Sequence, residues 1–152
     1  MTFTENDGGR EAAGYKGKAG DCVTRAIAIA TELPYQEVYD SLFALAKEHG
    51  ETRRDKVARR IKSKNDASPR DGMWKQIYRP YLKTLGWKWI PTMFVGQGCK
   101  VHLKADELPQ GRLIVSVSKH MTAVIDGIIN DTHDCSRGGT RCVYGYFQKV
   151  AN

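Results

Sequence analysis

The sequence predicts an α+β fold, with N-terminal helices packed on a C-terminal antiparallel sheet. Apolar residues recur at helical spacing from Cys22 to Leu85. After Gly86 the pattern shortens to short β-rich runs separated by turn residues. The chain has 152 residues, the length of one domain, and can bury roughly two thirds of its unfolded surface. With 41% hydrophobic and 27% charged residues its composition is that of an ordinary globular protein. No apolar run approaches the roughly 18 residues a membrane span needs, so no membrane partner is expected.

Residues 1–19 are polar and Gly-rich and read as a flexible arm ahead of a single domain over 20–152. Residues 22–31 are nearly all apolar or small, which predicts a buried helix with Asp21 at its N-cap. Pro34 opens a second helix over 35–48, with Val38, Leu42, Leu45 and Ala46 inward and Gly50 as its stop. Residues 51–70 read as a basic helical insertion carrying Arg53, Arg54, Lys56, Arg59, Arg60, Lys62 and Lys64. A third amphipathic helix is expected over 72–85, kinked or split at Pro80. Strands are expected near 87–90, 112–118, 120–125, 128–131 and 142–150, with a turn or short helix over 104–109. Asp126-Gly127 marks a two-residue hairpin turn.

Four cysteines, at 22, 99, 135 and 142, lie in a chain with no apolar leader in its opening residues. The expected setting is the cytoplasm and the expected state is reduced thiols, a disulfide among 99, 135 and 142 being the lesser reading. The net charge of +7 favours an acidic partner or nucleic acid.

Two distant segments carry the chemistry. Cys22 opens a helix, where unpaired backbone N–H groups and the helix dipole favour a thiolate. His120 opens a strand. A two-residue turn at 126–127 sets residue 122 opposite 131 and 120 opposite 133, so Asp131 shares the His120 face while Asn130 points away. Cys22 as nucleophile, His120 as general base and acid, and Asp131 as orienting acid form a coherent thiol site.

These residues resemble the papain-like cysteine peptidase superfamily, especially its small bacterial and phage members. There a cysteine opens a buried helix, and a histidine strand is followed by a strand bearing Asp or Asn. The stretches Gly20–Thr31 and Pro34–Asp40 also resemble the opening of a set of phage and plasmid proteins. The resemblance implies a papain-like fold and thiol-mediated acyl transfer at an amide or isopeptide bond of a protein or peptide, without a cofactor. Papain-like enzymes usually carry a Gln shortly before the cysteine; residues 14–19 contain neither Gln nor Asn. Lys16, Lys18, Asp21 and Asn130 are the remaining candidates to hold the oxyanion or substrate, or the backbone acts alone.

Three rival readings attach to other residues. Cys99 and His102 with His133, Cys135 and Cys142 could ligate zinc, but no second tight ligand pair supports it and no metal is expected. Arg53, Arg54, Arg59 and Arg60 could track phosphates of nucleic acid, the second choice of partner. The fold could also serve as a catalytically weak or inactive scaffold that binds a host protein.

Overall fold

Among the described residues, 1–17 and 20–150 of this computed structural model, the chain builds β1 (Thr2–Glu5), α1 (Cys22–Thr31), α2 (Tyr35–Thr52), α3 (Lys56–Lys64), α4 (Lys75–Thr84), β2 (Trp87–Pro91), β3 (Arg112–Val117), β4 (His120–Ile125), β5 (Ile128–Asp131) and β6 (Val143–Lys149). The α+β class follows: helices first, most of the sheet after.

Helix α1 has the bounds its apolar run predicts, and every residue from Val23 to Ala30 is buried. The expected N-cap at Asp21 does not form: its side chain accepts no hydrogen bond from the helix start. Half-buried Arg10 and buried Arg25 and Tyr35 claim that carboxylate instead. Helix α2 buries Val38, Leu42, Ala46 and Gly50, one stripe at spacing four, while Leu45 is exposed. Gly50 therefore lies inside the helix rather than ending it. A Cβ there would meet Ile61 Cγ2 at 2.8 Å, so the glycine is where α2 and α3 touch.

Basic α3 rests on Val57, Ala58 and Ile61, and Asp55 caps it by accepting the Ala58 N–H at 2.8 Å. Helix α4 starts three residues later than predicted and runs unsplit past Pro80. Proline costs one backbone bond there, and buried Ile77, Tyr81 and Leu82 hold the helix on the core.

The sheet order is β1-β5-β4-β3-β6-β2. All pairings are antiparallel except β1 with β5, so the sheet is mixed rather than purely antiparallel. That exception also corrects the flexible arm: residues 2–5 are an edge strand, and Phe3 packs against the second core. A four-residue strand with one apolar side chain is too short to show a period.

One sheet face, through Ile114, Met121, Ala123 and Phe147, packs on the helices. The other, through Leu113, Val115, Val124, Ile129 and Val143, is covered by Leu103, Leu108 and Cys135. Cys99 and Cys142 form a disulfide there, with Cα atoms 5.9 Å apart, beside the bridge between His102 and Cys142. The reading of four reduced thiols is thus corrected: Cys22 and Cys135 are free. Closing 43 residues of chain stabilises the fold by up to about 4 kcal/mol. No helix of the described residues is long and apolar enough to cross a membrane.

Candidate functional site

The hairpin forms in the predicted register: Ile125 opposes Ile128, Val124 opposes Ile129 and Ala123 opposes Asn130. Asp126 and Gly127 both have positive φ, as a two-residue turn of this hand requires. Parity then puts Asp131 with Thr122 and His120. Nε2 of His120 lies 2.7 Å from Asp131 Oδ2, and the Thr122 hydroxyl donates to the same oxygen at 2.7 Å. The Thr132 N–H donates to Oδ1 at 2.7 Å.

Helix α1 packs mainly against β4, which brings its N-terminus to the start of that strand. His120 is the first residue of β4, so its ring can meet the helix start as well as Asp131. The half-buried Cys22 thiol interacts with the His120 ring and with the Met121 backbone N–H. Burial pushes the thiol up, but the His120 hydrogen bond and charge, the Met121 N–H and Arg25 outweigh it and leave the thiol below its usual range. For His120, burial disfavours the charged ring. Hydrogen bonds to Asp131, Cys135 and Cys22, with the Asp131 charge, overcome that and raise its pKa to about 11. For Asp131, burial is likewise overcome by His120, Thr122 and the Thr132 N–H, and its carboxyl stays below the ordinary range. These directions all favour the charged forms, a thiolate, an imidazolium and a carboxylate in a row.

The remaining candidates divide. Asp21 is buried immediately before Cys22, 3.2 Å from both Arg10 and Arg25 and hydrogen-bonded to the Tyr35 hydroxyl. With those partners it is a structural anchor rather than an oxyanion donor. Asn130 faces away, accepting from Asn6 at 3.3 Å and donating to the Ile128 carbonyl at 3.1 Å, so it does not reach the thiol. Lys16 is exposed on the rim of a neighbouring pocket of about 320 Å³ that it shares with Arg10, Tyr15, Asp21 and Tyr35. Lys18 lies outside the described residues. Arg53, Arg54, Arg59 and Arg60 are exposed around α3. The zinc set is dismantled: Cys99 and Cys142 are bonded to each other, His102 pairs with Glu107 at 3.2 Å, and Cys135 is buried beside Asp131. His133 is exposed, its ring centroid 5.2 Å from that of His120.

Three neighbours were not assigned to the site from sequence. Arg25 pairs with Asp21 at 3.2 Å, reaches Asp131 at 3.8 Å, and so links the two carboxylates. An arginine on a wholly buried apolar helix is itself the signal, because a buried charge needs partners. Cys135 places its sulfur 3.8 Å from Asp131 Oδ2 and interacts with His120. Tyr78, on α4, is close enough for the Cys22 charge to raise its hydroxyl pKa, after burial and against Arg79.

Family models, curated proteins and solved structures yield no match to this chain.

Proposed function

We propose that this chain is a papain-like thiol hydrolase or transferase acting on an amide or isopeptide bond of a protein or peptide. The carrying observation is the row Cys22–His120–Asp131, with the histidine bonded to the carboxylate at 2.7 Å and close enough to the thiol to lower its pKa. The Cys22 thiolate attacks the carbonyl carbon, and the carbonyl electrons move to oxygen. First-turn N–H groups of α1 receive that oxyanion, since the chain offers no upstream Gln. The intermediate collapses, the C–N bond breaks, and His120 gives its proton to the leaving amine. Neutral His120 then takes a proton from water, or from an acceptor amine, as it attacks the thioester, and the thiolate is restored. Asp131 keeps the ring oriented and its charged form favourable throughout.

Site-resolved alkylation tests this reading. Iodoacetamide should modify Cys22 at least tenfold faster than Cys135 in the native protein, and His120→Ala should remove most of the difference. A p-nitrophenyl ester should leave its acyl group on Cys22. Equal labelling of the two thiols, with no acyl adduct, would sink the assignment.

A second reading is supported by the exposure of Arg53, Arg54, Arg59 and Arg60. In it the fold is a scaffold that binds nucleic acid through α3 and its approach. Steeply salt-dependent RNA or DNA binding, lost on charge reversal at these four positions, would favour it.

A further inference from the structure

The structure assigns a second use to the same corner: we propose that His120, Asp131 and Cys135 form a binding site for a soft divalent cation, zinc foremost, that switches the thiol site off. The inference rests on the functional reading above only for its regulatory meaning; the metal site stands on its own geometry. One donor atom each of His120, Asp131 and Cys135 lies within 4.8 Å of the other two. Nε2 of His120 and Oδ2 of Asp131 are 2.7 Å apart and the Cys135 sulfur is 3.8 Å from that oxygen. Tetrahedral zinc with bonds of about 2.0–2.3 Å holds its ligand atoms roughly 3.4 Å apart. A cation between these three atoms therefore needs them to move by less than about 1 Å. One nitrogen, one sulfur and one carboxylate oxygen is a donor set that zinc accepts.

The outer contacts are already in place. Thr122 donates to Oδ2, the Thr132 N–H donates to Oδ1, and Arg25 lies 3.8 Å from Oδ1. Such contacts orient a ligating carboxylate. Cys135 and Asp131 are each 3% exposed, so the donors are shielded from competing water. On binding, Cys135 loses its thiol proton and His120 gives up its Nε2 proton, both to solvent, and the metal takes their place. With the metal on Nε2, His120 keeps only its Nδ1 proton and can no longer be an imidazolium, so its charge no longer supports the Cys22 thiolate. The fourth position is left to water.

The test uses the full chain with its Cys99–Cys142 disulfide intact, freed of metal and titrated with zinc against a chromophoric chelator. One zinc per chain is expected. Cys135→Ser and His120→Ala should each weaken binding at least tenfold, while Cys22→Ser changes it less than threefold. Cobalt should give a near-ultraviolet thiolate charge-transfer band that persists in Cys22→Ser, a readout that needs no variant at a proposed ligand. One equivalent of zinc should slow Cys22 alkylation at least tenfold in the wild type. Absence of a one-to-one site would overturn the proposal. So would binding lost in Cys22→Ser but kept in Cys135→Ser, which would mean capture by the nucleophile alone. Fast, His120-dependent alkylation without zinc binding would leave the thiol function standing and remove the switch. Zinc binding with an unreactive Cys22 would do the reverse.

Discussion

Asp131 gathers five partners: His120, Thr122 and the Thr132 N–H at 2.7 Å, with Arg25 and Cys135 at 3.8 Å. A buried carboxylate so surrounded stays charged and can hold His120 charged, and His120 in turn stabilises the Cys22 thiolate. The order of effects fixes a sign. Asp131→Asn removes the charge that favours imidazolium, so less positive charge faces the sulfur and the thiol pKa rises. The pH midpoint of Cys22 alkylation should lie below that of an ordinary thiol in the wild type and move up in Asp131→Asn. At pH 6 the rate should fall on the order of tenfold, the effect of one pKa unit. Alkylation followed by mass spectrometry across pH checks this; an unmoved midpoint would show that Asp131 does not act through His120. The choice of Asp131 over Asn130 was legible in the sequence because strand parity and a two-residue turn are local. The partnership of Asp131 with Cys135 was not, because the segment after β5 has no regular period.

At the scale of elements, glycine marks where packing is tightest. A Cβ on Gly145 of β6 would lie 2.5 Å from the Trp89 ring and 2.8 Å from the Ile90 carbonyl oxygen on the paired strand β2. A Cβ on Gly50 would meet only the Ile61 side chain. Gly145→Ala should thus cost about 2–3 kcal/mol, since backbone must move. In Gly50→Ala the gain of about 1 kcal/mol in helix propensity offsets part of the overpacking, leaving a net loss near 1 kcal/mol. Denaturant melts of the two variants check the order; a larger loss at Gly50 would contradict it. Helix α1 was readable to the residue because an all-apolar run has one fate in a single domain. The length of α2 was not, because a glycine at spacing four from Ala46 reads as a stop until its partner α3 is known.

At the scale of the whole molecule, the N-terminus and the site are coupled through β1. Glu5 pairs with Asp131, and the Asn6 N–H donates to the Asp131 carbonyl at 2.8 Å. Arg10 then reaches Asp21 beside Cys22. Deleting residues 1–6 should lower stability on the order of 2 kcal/mol, from lost Phe3 burial and strand hydrogen bonds. It should also slow Cys22 alkylation severalfold, because Asp131 loses its backbone support. Thermal melting and labelling rates on the truncated chain test both; an unchanged labelling rate would separate the strand from the site.

Sequence by itself determined the α+β class, α1, the hairpin and its register, and hence which acid faces His120. All of these depend on periods and turns a few residues long. Tertiary structure alone decided that β1 joins the sheet in parallel, that Cys99 meets Cys142, that Asp21 leaves the helix cap for Arg10, Arg25 and Tyr35, and that Cys22 reaches His120. Those contacts join residues far apart in the chain, and a local pattern carries no information about which distant partner satisfies a buried charge or thiol.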